Sequence, residues 1–540
     1  MRFVGVPIVI AGILAVCFFS LVPGMPGYVD LHVRTGAVGP AQLGKVNFPT
    51  SCNAQAQATI EKGVALLHSF QYMQSEQTFA ESAQLDPQCA MAQWGKAMAV
   101  YHQLWDFPGA ETLKEGRQDI EEAKKLGAGT EREREYIAAA AAFYQDDASL
   151  THTTRAQAYS SAMEKVRADN PKDTNAAAFY ALSLVALAEY DEQESANRKK
   201  ALAILNPLFA SDPDNPGVAH YIIHASDTPE LAPEGLAAAR RYAQIAPDSS
   251  HALHMPSHIF TRLGLWQESI DSNIAAIASA SKEIQMHMAE SHYQTHAMDF
   301  LNYAYLQSGQ ESKARGLIAD MKTVRGASER EITEKQSLFE ARDALELHHW
   351  KEAASLGIPK LPPRELDVTY WARAIGAARS GDAAGAREDV QSLIDTIAAR
   401  ERRSKDQGYK VNAGESVDQR EAEAWLAYAE GKADEALKTM RGAVEREDLY
   451  HVDSLGMPAR EMLADLLLEL KRPEEALAAY QAALKESPNR FDSLYGAARA
   501  AESAGKTQEA KTYYAQLSKI AGPGADRPEL QEAKIYLARK

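Results

Sequence analysis

The chain has 540 residues, several times the length that one hydrophobic core supports, so it is either multidomain or a repeat array. An apolar fraction of 45% excludes a disordered chain. Fifty-eight Lys plus Arg against 74 Asp plus Glu leave a formal charge of −16, which repels nucleic acid and anionic headgroups and removes both from the expected partners.

In chain order, residues 3–22 (FVGVPIVIAGILAVCFFSLV) form a charge-free run behind Arg2. This suits a secretory signal or an uncleaved membrane anchor, assigned to residues 1–27, with a linker over 28–50. The remainder is then expected outside the cytoplasm, periplasmic, secreted or held at the membrane. Cys17 leaves with the leader, so Cys52 and Cys89 remain, either as separate thiols or, in an oxidising compartment, as a disulfide.

Beyond residue 50 the chain is rich in Ala, Leu and Glu at helical spacing, and almost nothing alternates as a strand does. This predicts an all-α protein. Phe79 and Asp86-Pro87 close a unit at 56–89, and Pro213 and Pro247 put further units at 216–249 and 250–283. Gly309 with Ala314 sets one at 295–328, Gly381 with Ala386 one at 367–400, and Gly431 with Ala436 one at 417–450. Units at 457–490 and 491–524 follow, while 110–215 and 329–366 are helical without a clear frame. LGIPKLPPRELD, with three prolines, is read as a seam at 356–366 between arrays at 51–355 and 367–540.

The period is set by LLELKRPEEALAAYQAALKESPN, where Ala476, Tyr480, Ala483 and Pro488 recur as Gly505, Ala510 and Tyr514 do in the next unit; Ala476 to Ala510 is 34 residues. Small residues at fixed helix positions, an aromatic four later and a closing proline resemble the tetratricopeptide repeat. The resemblance implies a right-handed superhelical solenoid of roughly ten to twelve stacked helical hairpins whose concave groove binds a protein or peptide partner.

Eight of the chain's 15 histidines fall between 220 and 296. Counted within each unit, His220 and His224 are positions 5 and 9, and His251, His254 and His258 are positions 2, 5 and 9. His296, Asp299 and Tyr303 repeat positions 2, 5 and 9, and His292 extends that stripe by one turn. The resemblance implies that these positions face the groove, and spacings of three and four put them on one helix face regardless of family.

Three readings of this surface stand. The histidines hydrogen-bond to one another, to Asp227 and Asp299 or to tyrosines; they contact an organic or peptide ligand; or His220, His224, His254, His258, His292 and His296 hold zinc or copper, with Asp299 nearby. Pro256 inside the motif is expected to start a helix late or kink it, turning His251 and His254 away from His258. Clustered imidazoles also suit pH sensing. Trp94 is read as packing, and the His102 and Trp105 pair is left open. AESAGKT at 501–507 lacks the first glycine of a phosphate loop, and no nucleophile elbow or HExxH occurs, so no catalytic residue is assigned.

Overall fold

Eight of the described hairpins are built on the same local device. A first helix ends, one residue takes a left-handed backbone, and a second helix starts two residues later. Glycine supplies that conformation at 264, 309, 381, 431 and 505, with φ between 63° and 85°, because it has no Cβ to clash. The same turn position holds Phe70, His348 and Lys471 at φ 52° to 60°. Small residues inside the helices serve close approach: a Cβ on Gly496 would lie 2.2 Å from the ring of Tyr480, and one on Gly95 2.2 Å from Phe79.

The computed structural model describes residues 41–104, 108–146, 148–188, 194–406, 416–450 and 455–539. Residues 42–540 form one unit, and among the described residues every regular element is helical. The stretches without a clear frame are hairpins too: Ala90–Ala99 with Ala110–Leu126, Glu131–Phe143 with His152–Asp169, Thr174–Ala188 with Glu194–Ser211, and Glu329–Glu346 with Trp350–Ala354. EREREY opens a helix whose start is fixed by a capping box between Thr130 and Glu133. The stack runs on across the proline-rich stretch 356–366, because Glu329–Glu346 packs directly on Asp367–Arg379.

The N-terminal repeats curl until the first meets the fifth and sixth. Their first helices converge on a ring cluster in which Phe48 stacks on Trp94 at 5.3 Å and Trp94 meets Tyr136 at 5.5 Å and Phe179 at 6.1 Å. Trp94 is therefore core, as its helical spacing predicts. His68 closes the circle, bonding Asn175 and Tyr221 at 2.9 Å each. Residues 42–50, expected to be part of a linker, form an extended strap instead. The strap steps back across the repeats: Gln42 pairs with Asp248, Lys45 with Asp214, Asn47 with Asn175 and Pro49 with Arg132. A disulfide between Cys52 and Cys89, with Cα atoms 5.0 Å apart, ties the end of the strap to the next hairpin.

The C-terminal repeats fold back on the middle of the chain. Trp266 donates to the Asn489 carbonyl at 2.8 Å, and the turn at 308–309 is bonded by Gly522 and Asp526. At the centre of this contact Arg490, fully buried, bridges Glu346 at 2.7 Å and Glu461 at 2.8 Å. Among the described residues no helix is long and apolar enough to cross a membrane. Residues 3–22, where a signal or anchor is expected, and Trp105 lie outside the described residues; His102 stacks on Tyr72 with ring centroids 4.1 Å apart.

Candidate metal centre in the histidine interior

Three consecutive first helices carry the histidines. Pro216–Ala225 starts behind Asn215, whose side chain caps Gly217 and Val218 and so fixes where His220 and His224 fall. The next helix is divided: Ser250–His254 is capped by Ser249, and Pro256 opens Pro256–Arg262. Met255 keeps helical angles across the join (φ −52°, ψ −35°), so the two pieces stay nearly collinear. The expected swing of His254 away from His258 is therefore absent, since proline is tolerated in the first turn, where its missing N–H has no partner to lose. The third helix, His292–Gln307, carries His296.

These helices bring six imidazoles into two adjoining triads, His220 with His224 and His251, and His254 with His258 and His296. Within each triad the three donor nitrogens lie within 4.8 Å of one another. The Nε2 atoms of His220 and His251 are 3.1 Å apart, as are those of His254 and His258.

What holds the other ring nitrogens decides the chemistry. His258 donates from Nδ1 to Asp227 at 2.8 Å, and His254 donates from Nδ1 to the Asn273 carbonyl oxygen at 2.7 Å. The Asn273 orientation is fixed because its amide nitrogen donates to the Ser269 carbonyl at 2.8 Å. His220 likewise donates from Nδ1 to the carbonyl of His68 at 2.6 Å. A neutral imidazole with its proton on Nδ1 carries a lone pair on Nε2. His254 and His258 therefore present two lone pairs to each other across 3.1 Å. Two acceptors cannot bond; a cation between them satisfies both. Two nitrogens about 2.0 Å from one tetrahedral zinc lie roughly 3.3 Å apart, which is close to the spacing seen.

The lining is aromatic. Phe70 lies 4.4 Å from the His220 ring and stacks on His224 and His251, and Phe300 lies 4.4 Å from His258 and 5.0 Å from His254. Tyr242 stacks on His220 at 5.1 Å. Burial pushes His220 down to about 3 and holds His224, His251 and His254 well below the ordinary histidine range. These rings are neutral at pH 7, and the titration near neutrality that pH sensing needs is absent from them. Burial pushes Asp227 up, but the Arg262 charge and the hydrogen bonds from His258 and Arg262 override it and keep the carboxylate ionised.

Several sequence expectations change. The open groove over His220, His224, His251 and His254 is an enclosed interior, because the turn at 68–71 folds over it; each of these side chains is less than a tenth exposed. His292 sits outside both triads, at the start of its helix, half exposed and 3.4 Å from Glu290. Asp299 faces away from the rings, accepting from Arg342 at 2.7 Å and Lys335 at 2.9 Å. Tyr303 belongs to the other contact, its hydroxyl 2.8 Å from Arg490. His251, expected only in the groove, completes the first triad. Asn273, the His68 carbonyl and Phe70 were not singled out by sequence reasoning. The one signal for Asn273 was a polar residue on a helix face shared with Ile270, Ala276 and Ile277.

The tetratricopeptide-repeat family model matches residues 421–491 and 461–526. No curated protein matches the chain. Among solved structures, a human IFIT1 dimer with PPP-AAAA is similar at 13% identity and TM-score 0.35, over 85% of this chain and 89% of that one. A monomeric IFIT1 mutant with Gppp-AAAA shows 15% identity and TM-score 0.35 over 87% and 98%. The APC/C hetero-tetramer Cut9-Hcn1 shows 11% and 0.31 over 90% and 89%.

Proposed function

We propose, for a chain that is a tetratricopeptide-repeat protein, that its histidine interior binds a transition-metal ion of the zinc or copper class. The observation that carries this reading is the pair of opposed lone pairs on His254 and His258, with His296 completing a three-nitrogen set. Each ring is oriented from behind as metal-bound imidazoles are, His258 by a carboxylate and His254 by an amide oxygen. The alternative occupant of the gap is a proton, which makes one ring an imidazolium in a buried site. The test is metal analysis of the full chain purified without chelator from cells supplied with zinc and copper. At least one bound ion per chain is expected, and His254→Ala plus His258→Ala should lower the count by one with helicity retained. Metal-free wild-type protein from such cells would sink the reading.

A second reading rests on the array itself. Stacked tetratricopeptide repeats are a protein-interaction scaffold, and partner binding falls to the C-terminal repeats, where the family match lies and where Leu449 stands 70% exposed. We further propose that the chain is exported: the charge-free run at 3–22 suits a signal or anchor, and a disulfide between Cys52 and Cys89 fits an oxidising compartment. Fractionation of cells expressing the full chain tests this, with the protein outside the cytoplasm as the expected result.

A further inference from the structure

Resting on the metal reading above, we infer that the two triads hold two copper(I) ions side by side. The second site repeats the three-nitrogen set, with one tautomer fixed rather than two. His220 donates its Nδ1 proton to the carbonyl of His68, so its Nε2 lone pair faces His251 Nε2 at 3.1 Å, and His224 supplies the third nitrogen. The triads adjoin: the His224 and His258 rings are 6.4 Å apart and the His251 and His254 rings 6.2 Å apart.

The choice of ion follows from charge and from what surrounds the rings. All six donors are imidazole nitrogens, with no carboxylate or thiolate among them. Asp227 and Asp299 are each already paired with cations, Asp227 with Arg262 at 2.9 Å and Asp299 with Arg342 at 2.7 Å and Lys335 at 2.9 Å. With those two carboxylates already neutralised, a pair of dications finds less compensation for its mutual repulsion than a pair of monocations does, because that repulsion scales with the product of the ionic charges. Among the metals that imidazole binds well, copper offers a stable monovalent state. The enclosure points the same way. Zinc keeps a fourth ligand, and beside a three-histidine set that ligand is a water. Phe70 and Tyr242 pack against the first triad, whose three rings are all buried, and their faces give such a water no polar partner.

The test titrates the metal-stripped full chain anaerobically with copper(I) against a chromophoric copper(I) chelator, and in parallel with zinc(II). Two copper(I) ions per chain are expected, with zinc bound at least about a hundredfold more weakly. His224→Gln plus His251→Gln should remove one equivalent, and His254→Gln plus His258→Gln the other. X-ray absorption of the wild-type copper form gives a check that needs no variant: three-coordinate nitrogen ligation supports the assignment. A single copper per chain, or two ions lost together with either double variant, overturns the paired site while leaving metal binding intact. Tighter binding of zinc than copper(I) overturns the choice of ion. No binding of either metal overturns this inference and the reading beneath it.

Discussion

Arg490 offers the most direct test of how the two ends of the solenoid are joined. Its guanidinium, fully buried, bonds Glu346 and Glu461, which are 0% and 2% exposed. Burial pushes both carboxyls up, and the Arg490 charge with its hydrogen bonds overrides this at Glu346 and holds it below its ordinary value. Arg490→Leu leaves two carboxylates facing each other without their cation, Glu346 keeping its bond from Gln307 at 2.9 Å and Glu461 its bond from Ser493. Removing one partner of such a buried set costs about 3–5 kcal/mol.

The pH dependence has a defined sign. In the variant both carboxyls are raised above the 4.5 of an ordinary glutamate, so the folded state takes up protons that the unfolded state does not. The deficit is full at pH 7.5 and shrinks as the pH falls toward 5. Adding Glu461→Gln to Arg490→Leu removes one charge and should recover about 1–2 kcal/mol. Because opening is local in a stacked array, the assay is amide hydrogen exchange of residues 488–530 alongside urea unfolding. Unchanged protection of 488–530, or a deficit that grows on acidification, would refute the reasoning.

Three further perturbations have defined outcomes. Burial raises Asp343 from 3.8 to about 6, so the folded state holds that proton after the unfolded state has released it and stability falls as pH rises between these values. By pH 7 the loss reaches up to about 3 kcal/mol, and Asp343→Asn should abolish this slope in urea unfolding series run from pH 4 to 7. The Cys52–Cys89 bond closes a separation of 37 residues, for which chain entropy gives about 4 kcal/mol. Reduction should therefore lower the melting temperature and expose residues 42–53 to protease before the C-terminal repeats. Gly264 has φ +63°, and a Cβ there would lie 2.1 Å from the Pro488 carbonyl oxygen. Gly264→Ala should cost roughly 2–4 kcal/mol and loosen residues 488–490, read by exchange at Asn489, while Gly381→Ala, with open space around it, should cost only the backbone strain of about 1–2 kcal/mol.

Much of the architecture was legible because a repeat writes its geometry locally. The turn glycines at 309, 381, 431 and 505 and the small-aromatic pairs such as Gly496 with Tyr480 act within one or two hairpins, so a 34-residue period carries them. Positions 2, 5 and 9 were legible for the same reason. Helical spacing says which face a residue shares, and it brought five of the six triad histidines into the candidate ligand set. It does not say what covers that face. The groove became an interior because residues 68–71 meet 220–251, contacts more than 150 positions apart in sequence. Asp299 shares a face with His296, yet its carboxylate is drawn to Arg342 and Lys335 on a neighbouring helix. The strap at 42–50 has no helical pattern and pairs with repeats far along the chain, so nothing local announces it.

Phe70 ties these strands of argument together. At a turn position that five other repeats fill with glycine, phenylalanine at φ 52° costs about 1–2 kcal/mol of backbone strain. A repeat optimised for local stability would not hold it there. Its ring is 1% exposed against His220, His224 and His251, and burying a phenylalanine returns about 1.5–3 kcal/mol, enough to offset the strain only once the first repeat has closed on the fifth and sixth. The carbonyl of Phe70 accepts from Tyr293, and two residues earlier the carbonyl of His68 fixes the tautomer of His220. One strained turn thus closes the curl, seals the first triad from water and aims a lone pair into it, so the site exists only in the closed form of the array. A turn that is locally unfavourable and globally required is where a repeat protein is expected to carry something other than its fold.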